Sequence, residues 1–409
     1  MLDKRNLFRM PWSLNDNPIA WLEVTDICNI HCDGCYRQHL SGHKSLEQIE
    51  EEIHFFKTWR NPDNVSIAGG EPLIHPQILE IVSSIARNDI KPIILTNGQA
   101  LTPELLKDLK KAGAAGFTIH VDSHQNRPSW KNKTEKELNE LRQRYADMIA
   151  SEGGMTLIFN STVYPSTFPE IPDVVSWAQS NIDRVHGLVF ITYRIGILEN
   201  TSASDGIGQD VDLSRLSYTT DSFDEKFVTS KDIYQLLKDK FPGYEASGYL
   251  GGTIMHDSFK WLIGSLVASK KKIYGAVGKK TMEISQNGHH LVKGTYLAYL
   301  SGSRVGARMF LLAPFDKILR QAWWNWMKAI VRNPARLFEG IYLQSIGIIQ
   351  APDMLEDGRM DMCDSCPDVT IWDGKLVNSC RMDENRLYGA QLRFSPSGKP
   401  IGVAATPRS

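Results

Sequence analysis

The feature that most constrains this chain is the alternation of short apolar runs with stretches of helical period over residues 20–193. Ala20–Val24, Val65–Ala68, Pro92–Thr96, Gly116–Val121, Thr156–Val163 and Val185–Tyr193 read as strands. Between and after them, Ser45–Trp59, Pro76–Arg87, Pro103–Ala112, Glu135–Ser151 and Pro169–Ser180 read as helices. In the first helix Leu46, Ile49, Ile53 and Phe56 recur on one face, and Ser45 suits its N-cap. Thr102 before Pro103 suits a cap followed by a first-turn proline. Six strands alternating with helices imply a parallel sheet with helices outside it. Loop chemistry then belongs at the carboxyl ends of the strands. Alternation alone does not separate an open sheet from a barrel.

Chemistry-bearing residues fall at those strand ends. Directly after the first strand, Cys28, Cys32 and Cys35 form a CxxxCxxC triplet. Thiolate is the soft ligand that iron–sulfur clusters and zinc select. Three cysteines on a four-iron cluster leave one iron open. A structural zinc needs a fourth ligand, which Asp26, His31 or Asp33 supplies by count. Gly69, Gly70, Glu71 and Pro72 follow the second strand: glycines that admit close backbone approach, a carboxylate, and a proline that stiffens the turn. Thr96 and Asn97 end the third strand, Asp122 and Ser123 the fourth. Thr162 lies on the fifth, and Arg194 ends the sixth, where it suits bidentate pairing with a carboxylate. Tight turns and surface positions are the plain alternatives for these residues. His120 and His124 read as packing or solvated residues.

The triplet together with Gly69-Gly-Glu-Pro72 resembles the radical SAM superfamily. One departure is Gly34, where the family often has an aromatic residue, with Tyr36 just after. The resemblance implies an α/β fold, a partial (β/α)6 TIM barrel over roughly residues 15–195. It implies a catalytic [4Fe–4S] cluster on Cys28, Cys32 and Cys35, whose open iron chelates S-adenosyl-L-methionine. Gly69, Gly70, Glu71 and Pro72 would seat its amino group, with Thr96, Asn97, Asp122, Ser123 and Arg194 as further contacts. The activity implied is reductive cleavage of S-adenosylmethionine to a 5′-deoxyadenosyl radical that abstracts hydrogen. The electron would come from a donor such as flavodoxin or ferredoxin.

A second triplet, Cys363, Cys366 and Cys380, has the spacing CxxC-x13-C. Asp373-Gly374 marks a hairpin turn between the CxxC and Cys380. The spacing is similar to the auxiliary-cluster ligands of the GTP 3′,8-cyclase family and to short SPASM or twitch caps. That likeness implies an auxiliary [4Fe–4S] cluster, with an open iron or a fourth ligand such as Asp361, Asp364 or Asp368. The chain departs from the cyclases in its end, Gly402–Ser409, and in a long segment between barrel and cap. Zinc with a carboxylate or histidine is the alternative. The organisation expected is a barrel over 1–195, a helical or irregular substrate-determining segment over 196–350, and a cap over 351–409.

No motif covers residues 196–350. Ile197–Asp224 is polar and reads as a loop or lid. Trp261–Val267, Tyr296–Leu300 and Met309–Leu312 are apolar, Lys270–Lys272 basic, and Phe315–Val331 helical in period. Trp323, Trp324 and Trp326 with Lys317, Arg320, Lys328 and Arg332 suit an interfacial membrane helix. A core helix or dimer face is the plain alternative. The segment is expected to build a large apolar cavity for a lipid or isoprenoid-like substrate, opening toward a membrane. A peptide or small metabolite is the other substrate expected, although no leader-peptide-binding domain is recognised at the N-terminus.

Bulk composition narrows the classes. Lysine plus arginine total 46 against 47 acidic residues, so no nucleic-acid partner is expected. No secretory signal is recognised, and no run of about 18 apolar residues predicts a spanning helix. All six cysteines fall in the two triplets. That grouping argues for metal ligation in a reducing, cytoplasmic setting, with peripheral contact at the inner membrane face. Tyr36, Tyr193, Tyr249 and His256 are unranked hydrogen donors or bases. A zinc-stapled binding protein without redox chemistry is the alternative of another class.

Overall fold

The computed structural model describes residues 2–38, 42–197, 201–204, 210–220, 226–299, 302, 304–355 and 357–396. The six anticipated strands form as β1 (Ile19–Thr25), β2 (Asn64–Gly69), β3 (Lys91–Thr96), β4 (Gly116–His120), β5 (Thr156–Val163) and β6 (Gly187–Thr192). All pair in parallel in sequence order, with Leu22 beside Ile67 and Ile67 beside Ile94. Helices α1 (Leu46–Trp59), α2 (Ile78–Arg87), α3 (Pro103–Ala112), α4 (Asn139–Glu152) and α5 (Ile171–Ser180) return the chain between them. Ser45 and Thr102 cap as their sequence suggests, accepting from Gln48 N and Leu105 N. Strands buried along nearly their whole length are what helices on the sheet's outside require.

The sheet does not stop at β6, and this corrects the view of residues 196–350 as helical or irregular. Four more strands come from there: β7 (Ala246–Gly251), β8 (Phe259–Ser269), β9 (Lys272–Ala276) and β10 (Tyr342–Gln350). β10 pairs in parallel with β6, giving seven consecutive parallel strands among the described residues. β8 then pairs antiparallel with β10, and β7 with β8. A short apolar run has no period to announce whether it is strand or helix. Trp261–Val267 becomes a strand because it has partners on both sides. Helix α6 (Ser230–Lys240) covers β8 and β10, and α7 (Lys279–Lys293) follows β9.

Lys270–Lys272 lies at the tip and start of the β8–β9 hairpin, and Lys270 pairs with Asp183 at 2.7 Å. The period of Phe315–Val331 is real: α8 spans Lys317–Arg332, capped by Asp316. It packs on β9 in a small core of its own, with Trp326 buried against Phe310 and Trp324 turned outward. Within the expected loop Ile197–Asp224, residues 198–200, 205–209 and 221–224 lie outside the described residues, as does Leu300. Its described parts include short strand pairings of Gly196–Ile197 with Thr219–Thr220 and of Thr201–Ser204 with Arg393–Pro396.

Before the Arg393–Pro396 strand the chain forms a hairpin, β11 (Val369–Trp372) and β12 (Lys375–Asn378), then α9 (Met382–Tyr388). Asp373 and Gly374 both take positive φ, 47° and 68°, as a two-residue turn of matching twist requires. The hairpin packs on β1 and so covers the open edge of the parallel sheet.

Candidate functional site

The first triplet hangs from the end of β1 and is fastened by the turn after β2. Gly70 N donates to Thr25 O at 2.7 Å, and Glu71 N to Ile27 O at 2.8 Å. A Cβ on Gly70 would lie 2.1 Å from Ile27 O, and one on Gly69 2.3 Å from Thr25 O. The two glycines therefore admit the cysteine loop's own backbone, whatever they also admit. Within the loop Cys35 N donates to Cys32 O at 3.2 Å. Gly34 has a local cause too. A Cβ there would meet the Tyr164 hydroxyl at 2.3 Å. Tyr164 stacks between His124 and Tyr193, with ring centroids 3.8 and 4.6 Å away. Aromatic surface reaches the loop from the end of β5 instead of from position 34.

The polar strand ends divide into those that face a cavity and those that hold the frame. Glu71 is buried and consumed: it accepts from Thr96 Oγ1 at 2.5 Å, Asn97 N at 2.7 Å and Leu73 N at 3.0 Å. Burial pushes its carboxyl up, and those three donors oppose the rise. Glu71 and Pro72 are not on the cavity wall, whereas Gly69, Gly70, Thr96, Asn97, Asp122, Thr162 and Arg194 are. Asn97 Nδ2 lies 3.8 Å from Cys28 Sγ and 2.7 Å from Asn29 Oδ1, so its amide serves the cysteine loop. Asp122 accepts from Thr162 N and His124 N and pairs with His120 Nε2 at 2.7 Å. Burial would raise its pKa, but these donors prevail and hold it below the ordinary carboxylate range. Ser123 is off the wall, its amide bonded to Glu135. Arg194 does not stand free for a ligand carboxylate: its Nε donates to Asp353 Oδ1 at 2.5 Å and its Nη1 to two backbone carbonyls.

The second triplet is carried by the cap and held by buried cations. Arg60, at the end of α1, is fully buried. It donates to Cys366 O and Pro367 O, both at 2.8 Å, and to Ile19 O and Leu14 O on the barrel side. Lys260 on β8 is also fully buried, 2.7 Å from Asp353 Oδ2 and 3.1 Å from Asp361 Oδ2. The β11–β12 hairpin returns Cys380 toward the CxxC, with Ser379 N donating to Asp368 O at 2.9 Å. A third link ties α9 to the first loop. Arg37 and Arg386 share Glu23 and Asp383, and Gln38 N donates to Asp383 Oδ2 at 2.6 Å. Arg60, Lys260, Arg37 and the buried Arg127, which donates to Asn97 O at 2.6 Å, carry no sequence signal. A lone charge in a sequence does not announce that it will be buried.

Both triplets open on one cavity of about 720 Å³. Tyr36 lines the same cavity, and charges at Asp368, Cys380 and Cys35 all bear on its hydroxyl. Burial raises the thiols of Cys28, Cys32 and Cys35, and Cys28 and Cys35 raise Cys32 further. Cys363 rises through its hydrogen bond with Cys366 and then through burial, and Cys380 through burial and the neighbouring Cys366. Clustered, mostly half-buried thiols that resist ionisation alone are what a bound metal, by replacing their protons, would relieve. Among the described residues no three such groups converge as around a single metal ion. The donor set is six thiols in two triplets along one wall, and this fits polynuclear iron–sulfur ligation, where each sulfur binds a different iron. The segment expected to build the cavity contributes only part of its wall. From residues 196–350 the wall takes Gly196, Tyr218, Phe227, Trp261, Ile349 and Gln350, and nothing from the tryptophan helix.

The family model described as the Radical SAM superfamily matches residues 22–177. A GTP 3′,8-cyclase of Alkaliphilus oremlandii is 33% identical over 108 residues, 25% of this chain and 34% of the relative. An AdoMet-dependent heme synthase of Methanosarcina barkeri is 31% identical over 107 residues, 25% of this chain and 30% of the relative. The chain thus spans about a third of the length of these curated relatives. The crystal structure of Streptococcus suis SuiB aligns with a TM-score of 0.40 at 16% identity, over 56% of this chain and 46% of that one. A [4Fe–4S] cluster and S-adenosylmethionine are the cofactors this family implies. Residues 22–177, with the cysteine loop near their start, are therefore a radical SAM domain.

Proposed function

We propose that the enzyme binds two [4Fe–4S] clusters, one on Cys28, Cys32 and Cys35 and one on Cys363, Cys366 and Cys380, and acts on a substrate held between them. The observation that carries this reading is that both triplets, with Gly69, Gly70 and Asn97, line the same cavity. With S-adenosylmethionine bound and an electron supplied by a flavodoxin- or ferredoxin-like donor, the first cluster would generate a 5′-deoxyadenosyl radical that removes hydrogen from the substrate. The protein's part is positional. Gly69 and Gly70 fix the first loop to β1, Asn97 offers an N–H to Cys28, and Asp122 presents an ionised carboxylate to the cavity. Trp21, Leu95, Ile191, Trp261 and Ile349 add apolar wall, which favours a substrate with substantial apolar surface.

Anaerobic purification with iron and sulfide tests this. A brown protein with about eight irons per chain that forms 5′-deoxyadenosine from S-adenosylmethionine and dithionite supports it. A colourless protein holding two zincs ends it.

Peripheral membrane contact is a second reading. Trp324, Phe315 and Phe338 are 54%, 69% and 87% exposed near Lys317, Arg320 and Arg332, a mixture that suits a lipid interface. Among the described residues no helix is long and apolar enough to cross a membrane. Flotation with anionic liposomes that leaves the protein at the bottom of the gradient ends this reading.

A further inference from the structure

We infer that Asp368 is the fourth ligand of the second cluster. The inference rests on that cluster's being present, as proposed above. Three carboxylates lie close in sequence to the second triplet, and the structure separates them. Asp361 accepts from Ile254 N at 2.9 Å and Met255 N at 3.1 Å through one oxygen and faces Lys260 with the other. Asp364 accepts from Gly251 N at 2.7 Å and from Arg9 Nη2 at 2.6 Å. Both are committed, and neither lines the cavity. Asp368 differs on each point. Its carboxylate is half-buried rather than sealed off, and takes part in no hydrogen bond or ion pair among the described residues, although the Arg60 charge bears on it. It lines the cavity together with Cys363, Cys366 and Cys380, and its backbone carbonyl is bonded to the residue before Cys380.

A half-buried carboxylate that faces a cavity without a donor is free to take a ligand there, and pairing offsets the cost of its partial burial. Arg60 does not pair, because its guanidinium is spent on four backbone carbonyls. A cluster bound by three thiolates has one iron short of a protein ligand, and carboxylate oxygen is an accepted donor to iron. Coordination would form one Fe–O bond, and any proton on the carboxyl would leave to solvent. The consequence for chemistry is definite. With Asp368 in place the second cluster has no open iron, so it does not anchor substrate by direct ligation, and its role is to pass or accept electrons.

The test isolates the second cluster in the full chain by Cys28→Ala, Cys32→Ala and Cys35→Ala together, followed by anaerobic reconstitution. Iron content, and the electron paramagnetic resonance spectrum after dithionite, are read with and without cyanide, a small ligand for open iron. The expected result is about four irons per chain and a spectrum unmoved by cyanide. Asp368→Ala in the same background then shifts the spectrum and makes it cyanide-sensitive, and Asp368→Cys restores insensitivity. Four irons with a cyanide response while Asp368 is intact overturn the assignment and leave the second-cluster reading standing. No iron in this background removes both.

Discussion

The two cysteine triplets face one cavity but are held there by different physics. The first is held by the sheet: two backbone hydrogen bonds from the Gly69–Glu71 turn fix the loop to β1, and Glu71 locks that turn to the end of β3. The second is held by charge: Arg60 grips the backbone of Cys366 and Pro367, and Lys260 anchors Asp353 and Asp361. Backbone register is repeated along every strand and tolerates change. A buried cation is a single point of failure. The first site is thus built into the fold, and the second is attached to it.

The largest expected effect follows from that contrast. Arg60→Met leaves four carbonyls without their donor and should destabilise the cap by on the order of 5 kcal/mol. Iron at the second triplet should be lost while the first keeps its own, read as iron per chain after anaerobic reconstitution. Loss of both together would show that the two sites are not separately supported. Lys260→Met leaves the fully buried Asp361 without its cation, while Asp353 keeps Arg194, and should cost about 4 kcal/mol. Urea unfolding measures it, and a change under about 1 kcal/mol would mean the pair is not buried in solution.

Smaller effects probe the first site. Gly70→Ala drives a methyl toward the Ile27 carbonyl and should cost about 1–3 kcal/mol. Here the loss of iron should fall on the first triplet and 5′-deoxyadenosine formation should fail, with second-cluster iron unchanged. Asn97→Ala removes the N–H that reaches Cys28. It should cost only about 1 kcal/mol yet move the reduction potential of the first cluster, since hydrogen bonds to ligand sulfurs set that potential. An unshifted potential would mean that the 3.8 Å contact does nothing to the sulfur.

The same contrast decides what could be read in advance. β1 to β6, the caps at Ser45 and Thr102, and the hairpin turn at Asp373-Gly374 are local patterns, and the structure forms each of them. The cysteines and the glycine turn could be located because a strand end is fixed by the strand before it. What could not be read is non-local. Trp261–Val267 is a strand only because β7 and β10 flank it, and Arg60 matters only because residues 306 positions away reach its guanidinium. Arg194 illustrates the converse. Its place at a strand end suggested a ligand contact, but Asp353, brought near by β10, takes its Nε. The tryptophans of α8 showed a true helical period, and period says nothing about which cavity a helix faces.

The claim on which all of this depends is that the two triplets share one cavity. The most direct test is the electron paramagnetic resonance spectrum of the fully reduced, doubly loaded enzyme, compared with variants lacking one triplet or the other. Clusters bound on both triplets of one cavity should show magnetic interaction, so that the spectrum of the intact protein is broadened and differs from the sum of the two single-cluster spectra. A spectrum equal to that sum would contradict the shared cavity.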